Sequence, residues 1–179
     1  TGRFGPYPSS RRGRPLGAAP IRPRLGGTLH PVPDAVFVYG TLMPGRLRWP
    51  ILEPAAVATR PAEVAGSLWD TGRGWPAARF TDDRDRPASA DAGVVPGWVV
   101  SIDPTHLDGL LVVLDEVEGA VAPGPDGRWA ERVDARVPAG DYRRLIVGTA
   151  DGEDAWAYEA LAVSPRWTRI DAWADRPEA

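Results

Sequence analysis

The chain contains no cysteine and no lysine in 179 residues, and it has only two histidines and one methionine. Without cysteine there is no disulfide, thiolate nucleophile or cysteine-ligated metal. Without lysine there is no phosphate-loop lysine, Schiff base or serine–lysine pair, and all 21 basic residues are arginine. His30 lies near the N-terminus and His106 at the start of a helical pattern, which excludes a histidine zinc site or a Ser-His-Asp triad. No Gly-x-Ser-x-Gly elbow occurs. No apolar run approaches a membrane span, so a cytoplasmic protein with no membrane partner is expected. Asp82, Asp83, Asp85 and Asp91 crowd one polar segment but lack the spacing of a calcium loop, and Asp151, Glu153 and Asp154 read as turn residues. No metal is expected.

The chain does have enough apolar residues, 43%, for one sizeable core. Its Ala, Gly, Pro and Arg bias resembles that of a GC-rich bacterial coding sequence. The first methionine is Met43, so the sequence is expected to be trimmed at its start. Charge is divided unevenly: residues 1–33 carry six arginines and no acid, while the whole chain is −3, which leaves the remainder strongly acidic. The acidic body argues against nucleic-acid binding. Residues 1–33 are rich in Pro, Gly and Arg without hydrophobic periodicity and are expected to be a disordered basic tail. Such a tail suits an acidic partner; an ordinary solvated terminus is the other reading. Arg11-Arg12 is not followed by an apolar run and is not read as a targeting signal. Residues 34–179 are expected to form one domain.

From Asp34 onward the signals are mostly short strands. Ala35–Tyr39 is the first and is expected to be central. Val64–Trp69 and Trp75–Phe80 flank a turn at residues 70–74, and Val94–Ile102 carries Gly97 as a candidate bulge. Glu131–Val137 alternates cleanly, and Tyr142–Gly148 with Ala155–Leu161 reads as a strand pair around Asp151-Gly152. One helix is well marked: Asp103 suits the N-cap, Pro104 the first helical position, and Leu107, Leu110, Leu111 and Leu114 form one stripe. Many strands with one main packed helix imply an α+β fold, a small mixed β-barrel or strongly curved sheet.

A helix turns about 100° per residue, which sets the direction of the acids at the end of that stripe. Relative to Leu107, Leu111 falls near about 40°, Leu114 near about −20° and Glu118 near about 20°, whereas Glu116 lies on the opposite side. Glu118 therefore projects from the apolar face. A carboxyl there is costly unless paired or functional, and desolvation raises its pKa toward that of a proton-transfer group. Two alternatives stand beside this reading. A helix ending at Glu116 leaves Glu118 in a loop, and an ion pair with Arg132 or Arg136 makes it structural.

Two segments carry a resemblance. Tyr39-Gly40-Thr41-Leu42 follows the first strand, and Leu114-Asp115-Glu116-Val117-Glu118-Gly119 closes the helix. In that order they resemble the γ-glutamylcyclotransferase-like superfamily, which includes γ-glutamylamine cyclotransferase and the AIG2-like proteins. Trp75-Pro76-Ala77 and Val95-Pro96-Gly97-Trp98-Val99 are weaker matches, and the similarity spans roughly residues 35–161. The resemblance implies a cofactor-independent enzyme that releases 5-oxoproline and a free amine from a small-molecule γ-glutamyl substrate. It implies Glu118 as catalytic acid and base, and Tyr39, Gly40, Thr41 and Leu42 as the substrate-binding loop. Trp75, Trp129 and Arg132 are offered as pocket residues, and Trp69 and Trp98 as further apolar wall. One departure stands out. Where the family often has Tyr-x-Arg after the glutamate, Arg132 takes the arginine place but Ala130 stands in the tyrosine register, beside Trp129, after a longer loop. The alternative function is a non-catalytic small-molecule binding or regulatory module of the same fold.

Overall fold

A computed structural model describes residues 32–81, 93–121 and 142–173. In chain order the elements are β1 (Ala35–Val38), α1 (Trp49–Leu52) running into a 3-10 turn (Glu53–Ala55), β2 (Ala56–Asp70), β3 (Pro76–Phe80), β4 (Gly93–Ile102), α2 (Pro104–Glu118), β5 (Ala120–Val121), β6 (Tyr142–Gly148), β7 (Asp154–Ala160) and β8 (Thr168–Ile170). The strands join in the order β3-β2-β4-β1-β7-β6-β5, with β8 also on β2. This is the expected α+β architecture: a mixed sheet nearly closed into a barrel, with α2 as the main packed helix and α1 as a short second one. The expected strand Glu131–Val137, which contains Arg132 and follows Trp129, lies outside the described residues, as does the Asp82–Asp91 segment.

β1 is central. It pairs antiparallel with β4 (Ala35↔Ser101) and parallel with β7 (Val36↔Trp156). All four of its residues are buried, as a strand covered on both faces requires. Alternation splits them between two cores. Val36 and Val38 face the layer under α2, packed with Val100, Ile102, Leu107, Leu110, Leu111 and Leu114. Ala35 and Phe37 face the barrel interior with Val64, Leu68, Phe80, Val99 and Leu145. Phe37 and Tyr39 both meet Phe80 edge-on there, at centroid distances of 6.0 and 5.8 Å.

β2 is longer than its apolar pattern predicts and bends to serve several neighbours. Its first part pairs with β4 from Ala56↔Ile102 to Gly66↔Gly93, and its end pairs with β3 (Asp70↔Pro76) and β8 (Asp70↔Thr168). The bulge expected at Gly97 is not there. Gly97 pairs in register with Ala62, and the shift falls between Ala56 and Ala58. Gly97 is needed for a different reason: an added Cβ would stand 2.3 Å from the Val38 carbonyl and 2.7 Å from the Phe37 ring.

The seam of the barrel is closed by side chains and single bridges. Val64 bridges Thr149, and the Ala150 amide donates to the Glu63 carbonyl at 2.8 Å. The fully buried Glu159 of β7 accepts from the Phe80 amide of β3 at 2.9 Å and from Arg143 Nε at 2.6 Å. Arg79 of β3 in turn donates to the carbonyls of Ala160 and Leu161, each at 2.7 Å. Asp151 and Glu153, read from sequence as plain turn residues, both hold Arg60 of β2.

α2 forms as its caps predict. Asp103 accepts from the Thr105 amide at 2.8 Å, Pro104 opens the helix, and Gly119 closes it in the left-handed region at φ 58°. The helix reaches Glu118, so the alternative of an end at Glu116 does not occur. No helix among the described residues is long and apolar enough to cross a membrane.

Candidate active site

The loop after β1 is folded tightly onto itself. The Met43 amide donates to the Gly40 carbonyl at 3.0 Å, Arg46 to Met43 at 3.0 Å, and Arg48 to Thr41 at 2.8 Å. The chain therefore doubles back and sets Arg48 beside Thr41 at the entry to α1. Gly40 is required by packing: an added Cβ would lie 2.8 and 2.9 Å from Pro76 Cγ and Cδ. Pro76 begins β3, so this contact fixes the loop against the Trp75-Pro76 corner.

Between loop and helix lies a cavity of ≈ 140 Å³. The loop supplies Tyr39, Gly40, Thr41, Leu42 and Arg48 to its wall; α2 supplies Val117 and Glu118. Trp75 and Pro76 form another side, and Tyr142 and Tyr158 come from β6 and β7. The structure thus brings together Glu118, the Tyr39–Leu42 loop and Trp75 from the sequence expectations. Trp98 instead packs against the core under α2, and Trp69 does not line the cavity. Trp129 and Arg132 lie outside the described residues.

Glu118 points inward as its helical phase predicts, with 15% of its side chain exposed. Among the described residues its partner is Arg48, whose Nη1 donates to Oε1 at 3.2 Å; Arg132 and Arg136, the partners weighed from sequence, lie outside the described residues. Burial pushes the Glu118 carboxyl above its ordinary value, and the charge and hydrogen bond of Arg48 pull it back without overcoming burial. The result is a carboxyl shifted toward neutrality yet still held beside a cation, the condition for a group that both takes and gives a proton.

Three phenols line the same cavity. Burial, then neighbouring Tyr142 and Glu118, push Tyr39 far up; burial and then Glu118 push Tyr142 up. Burial and Asp115 do the same to Tyr158. All three stay protonated at neutral pH and act as hydrogen-bond donors. Tyr39 donates to the Tyr158 carbonyl at 2.7 Å and Tyr142 to the Pro76 carbonyl at 3.3 Å. Tyr158 donates to Asp115 Oδ1 at 2.9 Å, and Asp115 Oδ2 meets Arg144 Nη1 at 3.0 Å. Asp115 thus ties the last turn of α2 to β6 and β7 one turn before Glu118.

Sequence reasoning missed Arg48, Tyr142 and Tyr158. The tyrosines were visible only as members of a strand pair, and no local signal sets their direction. Arg48 is one of two arginines, with Arg46, in the loop following the glycine turn, and no local signal separates the two. Among the described residues no cluster of His, Cys, Asp and Glu could hold a metal ion.

A mixed barrel holding a buried acid opposite a glycine loop is the frame of a small-molecule site. The sequence profile of the family described as "Gamma-glutamyl cyclotransferase, AIG2-like" matches residues 36–174. The chain belongs to that family. A curated relative, γ-L-glutamyl-butirosin B γ-glutamyl cyclotransferase of Niallia circulans, is 29% identical over 102 residues. That match covers 57% of this chain and 56% of the relative, so the chain matches only about half of that protein's length. Among solved structures, YkqA from Bacillus subtilis overlaps with a TM-score of 0.48 at 20% identity, over 78% of this chain and 38% of its own. An AIG2-like protein from Mus musculus overlaps with a TM-score of 0.43 at 15% identity, over 81% of this chain and 96% of its own.

Proposed function

We propose that this domain is a γ-glutamylamine-type cyclotransferase, converting a γ-glutamyl amine or γ-glutamyl amino acid to 5-oxoproline and a free amine. The observation that supports it is the inward Glu118 lining the same small cavity as the Tyr39–Leu42 loop.

The chemistry follows from that pairing. Glu118 takes a proton from the substrate's α-ammonium. The freed nitrogen attacks the γ-carbonyl carbon, forming the ring C–N bond. The C–N bond to the departing amine then breaks as Glu118 returns a proton to it. The ring nitrogen, carrying two protons after attack, gives its second to Glu118, which passes it to the released amine. Of the three ammonium protons, one stays on the ring nitrogen and two leave on the amine, so the atoms balance without water or another reactant. Nucleophile and electrophile belong to one molecule, and the enzyme's task is to fold the substrate and move protons. The backbone of the Tyr39–Leu42 loop is suited to the oxyanion that develops on the γ-carbonyl. The neutral phenols of Tyr39 and Tyr142 keep the surroundings of Glu118 free of a further negative charge.

Incubating the protein with a panel of γ-glutamyl amides and quantifying 5-oxoproline by mass spectrometry tests this reading. Given the named substrate of the N. circulans relative, a γ-glutamylated butirosin belongs in the panel. Release from at least one compound is expected. No release from any, with retained binding of a γ-glutamyl compound, would instead favour a binding module.

A further inference from the structure

The Arg48–Glu118 pair has the same charges as the head group of an α-amino acid, in mirror arrangement. One guanidinium and one carboxylate meet at 3.2 Å on the wall of the cavity. A γ-glutamyl compound presents one carboxylate and one ammonium on a single carbon. We propose that Arg48 is the carboxylate-recognising residue of this site. On substrate entry it exchanges Glu118 for the substrate's α-carboxylate, and Glu118 is handed the neighbouring α-ammonium. The inference rests on the cyclotransferase reading for its substrate and adds the residue that selects it.

Four observations carry it. Arg48 is not a wandering surface cation: its own amide is bonded to the Thr41 carbonyl at 2.8 Å, and its carbonyl accepts from Ile51 at 3.0 Å, so its backbone is fixed to the glycine loop. Its side chain is 36% exposed while that of Glu118 is 15% exposed. The cation therefore sits on the solvent side of the pair, where an incoming anion meets it first. A guanidinium carries five N–H donors in a planar fork, and only Nη1 is used on Glu118, so the fork has donors left for a second carboxylate before the first is released. Finally, amine and carboxylate of the substrate share one carbon. An amine placed where Glu118 can take its proton lets the carboxylate on the same carbon reach Arg48, which lies 3.2 Å from Glu118.

The exchange links selection to chemistry. Arg48 opposes the upward push that burial gives Glu118. Among the described residues the other ionisable groups facing Glu118 are the phenols of Tyr39 and Tyr142, both protonated, so Arg48 is the charge there whose transfer changes the acid's affinity for a proton. When the guanidinium turns to a substrate carboxylate, Glu118 loses the cation that held it ionised and becomes a stronger base toward the ammonium beside it. A compound lacking the carboxylate leaves Arg48 on Glu118 and the acid stays engaged.

The test is calorimetric binding of two lactams to the full chain: 5-oxoproline, which keeps the carboxylate, and 2-pyrrolidone, which lacks it. The wild type should prefer 5-oxoproline. Arg48→Gln should weaken 5-oxoproline by about 10- to 100-fold while leaving 2-pyrrolidone unchanged. Arg48→Lys, which keeps the charge but not the fork, should fall between. Glu118→Gln, which removes the competing anion, should bind 5-oxoproline about 2- to 5-fold tighter. Wild-type affinity for 5-oxoproline in Arg48→Gln, or absence of wild-type binding, overturns the inference. The unchanged 2-pyrrolidone control separates lost recognition from a misfolded variant. If the binding pattern holds but no γ-glutamyl amide is turned over, the cyclotransferase reading fails and Arg48's role stands. If turnover is present and Arg48→Gln binds 5-oxoproline normally, only Arg48's role fails.

Discussion

The phenol of Tyr158 donates a 2.9 Å hydrogen bond to Asp115, joining strand β7 to the last turn of α2. Asp115 also holds Arg144 at 3.0 Å, and the Arg144 guanidinium lies 5.1 Å from the centroid of the Trp156 ring. Asp115 and Glu118 are three residues apart and so lie on neighbouring ridges of one helix. The first is anchored to the barrel wall, which fixes where the second points. Asp115→Asn should therefore lower kcat more than it raises KM, because the substrate contacts are intact while the acid is misaimed. The loss of one charged partner should also cost about 1.5–3 kcal/mol in a denaturant titration. An unchanged kcat in a folded Asp115→Asn protein would show that α2 is held by its leucine stripe alone.

Stability should carry the signature of the buried acid. The folded value of Glu118 lies above its unfolded one, so the folded state binds that proton more tightly. This contribution is present below the unfolded value and is lost as pH rises through the folded one. Glu118→Gln removes the titration, so at neutral pH the variant should melt no lower than the wild type. The difference between the two proteins should shift against the variant as pH falls toward the ordinary carboxylate range. Melting curves across that window check this; a variant clearly less stable at neutral pH would show that the Arg48 ion pair outweighs burial.

Gly40→Ala probes the close approach of loop and β3. Its Cβ would sit 2.8 Å from the Pro76 ring, which is not a flexible chain end that can swing aside. A cost of about 1–3 kcal/mol is expected, with a raised KM because Thr41 and Leu42 move with the loop. A variant with wild-type KM and melting temperature would contradict the packing account.

The seam makes a separate prediction. Glu159→Ala removes a buried carboxylate that accepts from Arg143 and from the Phe80 amide. Loss of about 3–5 kcal/mol is expected by denaturant unfolding. A loss below that of an ordinary surface change would mean that the barrel is held at this edge by apolar contacts alone.

How much of this was legible in the sequence depended on how local each signal was. The start and stripe of helix α2 were readable because Asp103, Pro104 and four spaced leucines all speak within one element, while its end stood open between Glu116 and Glu118. The inward aim of Glu118 followed from its phase. The Tyr39–Leu42 bend was readable as a strand running into glycine. By contrast, the first half of β2 carries Arg60, Pro61 and Glu63 and has largely exposed or half-exposed residues, so it offers little apolar alternation to read. Gly97 was correctly singled out but for the wrong reason, since a glycine demanded by a neighbour's ring looks the same in sequence as one demanded by a bulge. Arg48, Tyr142, Tyr158 and Glu159 take their roles from contacts between distant segments, and no window of sequence contains both partners.

The central claim is that Glu118 moves the protons of an intramolecular cyclisation. The most direct measurement is the rate of 5-oxoproline formation from a turned-over γ-glutamyl amide by wild type and by Glu118→Gln, with circular dichroism confirming the same fold in both. The account predicts a fall in kcat of about 10²- to 10⁴-fold in the variant. A folded Glu118→Gln protein with a rate close to that of the wild type would contradict it.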